Sequence, residues 1–240
     1  TRQIHGGYAT WSGELLSLQY KLGLRTEYTY RNIEQKATNN EYTIDRWDVY
    51  PTMHITKKLK KIGQFQLSAS RRINRPPQWL LNPFPMFSDD FTYQSGNPEL
   101  EPQFTNSIEV NYTRNLEKGS ITGGVFYRLI EDEINQGVFV DRSDLGSGRV
   151  ILTNDNFDNT SAYGIELSSN YRPTKWWSFN ASFDLYARKQ TGFAESLDPT
   201  LINPTIDDIE VNNVEVNNVI YNFRIFNNFK VSKKLSLSAF

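Results

Sequence analysis

The sequence predicts an all-β fold: a single antiparallel transmembrane β-barrel domain over residues 1–240, with about ten strands of a larger barrel present. Three observations carry this. Apolar and polar residues alternate with a period of two over stretches longer than the roughly five to six residues of an average soluble strand. Short connections alternate with long ones. Aromatic residues reach 14% in a chain whose mean hydropathy is −0.58. A strand with one lipid face and one watery face reconciles those last two values.

A first strand is expected near 3–10. The second, near 15–30, alternates most clearly: Leu16, Leu18, Tyr20, Leu22, Leu24, Tyr28 and Tyr30 share one face, and Gln19, Lys21, Arg25 and Glu27 the other. A helix of period 3.6 would scatter both sets around its axis. Near 43–56, Trp47, Val49, Met53 and Ile55 oppose Arg46, Asp48, Thr52 and His54. Near 62–73, Phe65, Leu67 and Ala69 oppose Gln64, Gln66 and Ser68; near 104–115, Ile108, Val110 and Tyr112 oppose Ser107, Glu109 and Asn111. Further faces are Ile121, Val125, Tyr127 and Leu129 near 120–133, and Tyr163, Ile165, Leu167 and Tyr171 near 160–172. Near 176–189, Trp177, Phe179, Phe183 and Leu185 alternate with Ser178, Asn180, Ser182 and Asp184. The strand near 216–231 carries Val219, Tyr221, Phe223, Ile225, Phe229 and Val231, and a last one lies near 235–240. Pro51 and Asn227 interrupt apolar faces without ending the pattern. Most of these strands match or exceed the roughly nine to eleven residues that cross a bilayer at a tilt.

Short polar turns are expected at 11–14, 57–61, 116–119, 172–175 and 232–234, and long irregular loops at 31–42, 74–103, 135–159 and 190–215. Strict alternation puts every turn at one rim and every loop at the other, the periplasmic and extracellular rims of an outer-membrane barrel. A soluble sandwich has no reason to keep that order.

Composition removes several alternatives. No run of eighteen apolar residues exists, so no transmembrane helix is expected. A net charge of −1 gives no field for nucleic acid, and the absence of cysteine removes thiolate chemistry. Residues 1–4 do not read as a signal peptide, so an exported chain is expected to have had one cleaved, or to be an excised piece. His5 and His54 lack metal-ligand spacing. Gly146-Ser147-Gly148 is neither a phosphate cradle nor a nucleophile elbow, and nothing near Glu99 and Glu101 would raise one of their pKa values. The run Asn154-Asp155-Asn156-Phe157-Asp158-Asn159 offers oxygen ligands for calcium but lacks the glycine and glutamate of a calcium loop, and is read as solvated loop, as is Asp207-Asp208-Ile209-Glu210. No catalytic site, metal or cofactor is expected.

The segments Ser70-Arg71-Arg72-Ile73-Asn74-Arg75-Pro76 and Gly96-Asn97-Pro98-Glu99-Leu100-Glu101-Pro102, the latter followed by Phe104-Thr105-Asn106-Ser107-Ile108-Glu109, resemble the barrel region of TonB-dependent outer-membrane receptors, most closely the Bacteroidetes type. Leu22-Gly23-Leu24-Arg25-Thr26-Glu27 resembles a strand of the same family. The resemblance implies a barrel of about twenty-two strands around an N-terminal plug, importing a scarce nutrient. It also implies energy from a TonB complex acting on that plug. No plug or TonB-binding segment is recognisable here, so the chain is expected to be the middle and C-terminal part of a barrel. Phe240 resembles the terminal aromatic read by barrel-assembly machinery, but a six-residue last strand favours truncation.

On this reading Arg25, Glu27, Arg46, Asp48, Glu109 and Asp184 face the lumen and line its path. Arg71, Arg72 and Arg75 gather at the loop end of a strand; Arg71 has lipid-facing parity and is a candidate for lipopolysaccharide phosphate, against the alternative of a rim charge paired with loop carboxylates. Trp79, Phe84, Phe87, Phe91 and Tyr93 are dense enough in one loop to contact a ligand above the barrel, or simply to order that loop. Trp11, Trp79, Trp176 and Trp177, with Tyr28 and Tyr30, fit aromatic girdles, against the alternative of loop aromatics packing on each other. The glycine and prolines of Gly96–Pro102 deliver the chain into the next strand. Expected partners are membrane lipid, lipopolysaccharide, the TonB complex and a surface lipoprotein. A scaffold barrel without transport is the alternative function; a rim-borne enzyme and a soluble sugar-binding sandwich are weaker ones.

Overall fold

Directly opposed residues of an antiparallel pair share a face, so the register decides whether the local alternation adds up across a sheet. A computed structural model describes every residue except Ala37, Ser88 and the side chain of Phe87. Its strands are β1 (Arg2–Leu15), β2 (Leu18–Gln35), β3 (Asn40–Leu59), β4 (Gly63–Asn74), β5 (Met86–Phe87), β6 (Thr92–Gln94), β7 (Gln103–Leu116), β8 (Gly119–Glu131), β9 (Glu133–Val140), β10 (Val150–Phe157), β11 (Thr160–Tyr171), β12 (Trp177–Ser196), β13 (Glu210–Lys230) and β14 (Ser236–Ala239). Ten of them form one antiparallel sheet in the order β1-β2-β3-β4-β7-β8-β11-β12-β13-β14. The sheet does not close, and β1 and β14 are its edges.

One row of partners shows the register at work. Tyr20 pairs with Ile55, Ile55 with Leu67, Leu67 with Val110, Val110 with Val125, Val125 with Ile165, Ile165 with Leu185, and Leu185 with Tyr221. The row beside it runs Lys21, His54, Ser68, Glu109, Phe126, Gly164, Tyr186 and Ile220. One face is therefore apolar from strand to strand and the other mixed and polar. The apolar face is the exposed one: Trp47 is 69% exposed, Val219 72% and Tyr221 77%, while Glu27 and Asp48 are buried. A water-soluble sheet would invert that arrangement. In lipid it is the stable one.

Aromatic pairs mark the edges of the apolar band. Near the turn side, Trp11 meets Tyr20, Phe65 meets Tyr112, Tyr171 meets Phe179, and Trp177 meets Trp176 and Phe229. Tyr28, Tyr163 and Tyr221 lie eight residues further along their strands than Tyr20, Tyr171 and Phe229 respectively. Eight residues of strand are roughly 26 Å, comparable to the apolar band of an outer-membrane barrel once tilt is allowed for.

The structure corrects several sequence expectations. The turn expected at 11–14 is absent: β1 continues to Leu15, and the chain reverses at Leu16 and Ser17, whose φ values of 50° and 61° suit a tight hairpin. Ser12 and Gly13 imitate a turn in composition, yet Trp11 is paired with Leu22. The loop expected at 31–42 is largely strand and that at 190–215 half strand, with Gln35 paired to Asn40 and Ser196 to Glu210. Above the bilayer neither face of a hairpin needs to be apolar, so the alternation fades while the ladder continues. The stretches 74–103 and 135–159 contain a second sheet of order β5-β6-β10-β9.

Candidate functional site

Many charges on the polar, inner face are ion-paired. Arg25 donates to Glu27, whose other oxygen accepts from Arg75 at 2.7 Å. Arg46 donates to Asp48 and to Glu101, each at 3.0 Å. Arg128 lies between Glu109 at 3.3 Å and Glu166 at 2.8 Å, and Arg224 meets Asp184 at 3.2 Å. Arg188 and the Thr160 hydroxyl both donate to Glu133. Arg25, Glu27, Arg46, Asp48, Glu109 and Asp184 thus each have an ionic partner on this face. The partners Arg75, Glu101, Arg128, Glu166 and Arg224 carry no sequence signal beyond parity, because cross-strand pairing depends on register. Arg128→Ala leaves Glu109 and Glu166 facing one another across a strand. All three side chains are about a third exposed, so water screens them, and a loss near 1 kcal/mol, larger at low salt, is expected in denaturant unfolding of the protein in detergent.

The segment between β4 and β7 folds against this face. Arg31, buried on β2, donates to the carbonyls of Pro98 at 3.1 Å and Leu100 at 2.8 Å. Arg75 reaches Glu27 and the Thr29 hydroxyl. Leu80, Leu81 and Leu100 make a small dry cluster with Ile33 and Ile134. Phe104 stacks on Tyr50 and lies under the guanidiniums of Arg46 and Arg71. The Gly96–Pro102 segment is therefore more than a turn: its backbone covers the inner wall of β2 and β3. Gly96 sits where a Cβ would lie 2.4 Å from the Asn82 carbonyl oxygen, so a side chain there would force the two backbones apart.

Arg71 does not face lipid. Although it has the parity of Phe65 and Leu67, it donates to Asn106 at 2.9 Å and Glu131 at 2.7 Å. The parity rule fails where β4 parts from β3: their pairing ends at Ser70, while β4 stays paired with β7 as far as Asn74. Arg72 is exposed and carries no hydrogen bond or ion pair among the described residues. Trp79, Phe84 and Phe91 are exposed on the loop, while Tyr93 lies in β6 opposite Ile151 and is half-buried. The side chain of Phe87 lies outside the described residues.

The run from Asn154 to Phe157 is strand rather than solvated loop. Asn156 ties three segments together: it donates to the carbonyls of Glu101 and Asp132 and accepts from the Glu101 amide. Burial pushes the Asp155 carboxyl above the usual aspartate range, against the Asn156 amide, which pulls the other way. The folded sheet then holds this proton more tightly than the unfolded chain, so the associated stability is present at acid pH and lost as pH rises through the raised value. Asp155→Asn is expected to make the β9–β10 hairpin more protease-resistant at neutral pH and to flatten its pH dependence.

A sequence profile of the outer membrane protein β-barrel family matches residues 1–240. No curated protein matches the chain in sequence. Solved structures share its fold at low identity. The hemophore receptor HasR of Serratia marcescens, solved as a double mutant with its hemophore HasA and heme, aligns with a TM-score of 0.59 and 12% identity over 99% of this chain. The copper transporter OprC aligns with a TM-score of 0.55 and 11% identity over 99% of it. A mutant of the ferric enterobactin receptor PfeA of Pseudomonas aeruginosa aligns at 0.55 and 14%, again over 99%. The chain spans 47%, 41% and 38% of those three structures.

Proposed function

The chain belongs to the outer membrane protein β-barrel family, and from that premise we propose that it forms part of the barrel of a TonB-dependent receptor importing a scarce nutrient. The observation that carries this reading is the division of the sheet. Its outer face is apolar and exposed, while its inner face is ion-paired and partly covered by an inward-folded loop. A barrel wall needs the first. A lumen that guides a polar solute past a plug is suited by the second. Likeness of fold to a copper transporter, a ferric enterobactin receptor and a hemophore receptor supports it. The edges at β1 and β14 need further strands to close the barrel, since an open sheet edge is not stable within lipid. Energy comes from the TonB complex acting on that plug. Arg25, Glu27, Arg46, Asp48, Glu109 and Asp184 line the path, and the exposed Trp79, Phe84 and Phe91 offer first contacts at the mouth.

Growth of a receptor-deletion strain on limiting nutrients, with and without the receptor restored and with TonB intact or deleted, tests the proposal. A nutrient whose uptake needs both receptor and TonB supports it. Full uptake of every tested nutrient without the receptor favours a scaffold role.

A further inference from the structure

Beyond Ser70 the fourth strand leaves the third, and a cavity of about 520 Å³ opens on the inner face. It is bordered by Arg25, Arg71, Arg72 and Arg75 together with Tyr8 and Tyr50, and none of its lining residues is acidic. Two carboxylates touch these arginines: Glu27, shared by Arg25 and Arg75, and Glu131, on Arg71. Four guanidiniums against two carboxylates leave two positive charges unmatched. Elsewhere on the inner wall Arg46 and Arg128 each have two carboxylates and Arg224 has one, while Arg31 is held by the carbonyls of Pro98 and Leu100.

The charges are also held in place. The Arg25 guanidinium lies 5.3 Å from the centre of the Tyr50 ring, and Tyr50 is only 4% exposed. Arg75 is fixed by Glu27 and Thr29. Arg72 lies in the cavity lining, exposed and without a partner among the described residues. Guanidinium forks arranged around a recess match the paired oxygens of carboxylate and phosphate groups. The volume falls within the range of roughly 300–1,000 Å³ typical of small-molecule sites.

We propose that this arginine recess is a binding site for a small polyanion carrying carboxylate or phosphate groups, with Arg72 as its free anchor and Arg25 and Arg75 as its walls. This names a substrate class for the transport reading and rests on it. The test uses the full receptor in detergent, titrated by calorimetry with citrate and, separately, with inorganic pyrophosphate. At least one probe is expected to bind, and Arg72→Ala to weaken it about tenfold, in keeping with loss of a charged hydrogen-bond donor. Arg72→Lys, which keeps the charge but not the fork, should fall between. Arg172→Ala, at the opposite rim, should match the unchanged receptor. No binding of either probe overturns the proposal, as does equal loss in Arg72→Ala and Arg172→Ala. Binding without any TonB-dependent uptake leaves the site standing and removes transport; TonB-dependent uptake of another nutrient without polyanion binding does the reverse.

Discussion

Leu167→Arg is expected to destabilise the folded protein by about 2–4 kcal/mol, whereas Ser168→Arg, one residue further along the same strand, is expected to change stability by less than about 1 kcal/mol. Leu167 lies midway along its strand with an exposed side chain, opposed by Gly123 on one side and Phe183 on the other. A guanidinium there would stand in hydrocarbon near the bilayer centre, with no carboxylate on its face to meet it. Ser168 points to the other side, into a cavity of about 820 Å³ lined by Thr122, Asn170, Asn180 and Ser182. An arginine there has water and mostly neutral polar neighbours, with Arg224 the charged residue of the lining. The contrast is read by equilibrium unfolding of the full receptor in lipid vesicles. Equal loss from the two substitutions would mean that the sheet has no lipid face, and the membrane assignment would fall.

Arg31→Met is expected to release the inward-folded loop, with a local loss of about 3 kcal/mol. Arg31 is 7% exposed, and its two hydrogen bonds join β2 to carbonyls 67 and 69 residues away. Methionine keeps much of the volume, so the cost lies in the two buried carbonyls left without a donor. The strand ladder itself is untouched. Hydrogen exchange at the amides of Gly96 and Asn97, which bond to Asn82 and Leu80, should therefore rise sharply while exchange in β7 and β8 stays slow. Unchanged exchange at those two amides would show that the leucine cluster alone holds the loop.

Where sequence reasoning succeeded and where it failed follow from one distinction. Alternation is a property of neighbouring residues, so Leu22, Leu24 and Arg25 reveal their faces before any partner strand is known. The same reading misplaced Arg71 because parity is tied to lipid only while the strand stays in the wall of the barrel. It also read 31–42 and 190–215 as loops, since a hairpin standing in water on both sides keeps no apolar stripe. Trp11-Ser12-Gly13 looked like a turn for want of the Tyr20 ring that packs on Trp11.

The amino-acid sequence by itself determined the ten wall strands and, within the apolar band of the eight from 15–30 to 216–231, which face is apolar. A period of two needs only the pleat of a single strand and a difference in solvent between its two sides. Tertiary structure alone decided that the Gly96–Pro102 segment folds inward, that Arg31 holds it, and that Arg72 has no partner among the described residues beside Arg25 and Arg75. Those outcomes join residues 45 or more positions apart, and the free energy of such contacts exists only once the register has brought the strands together.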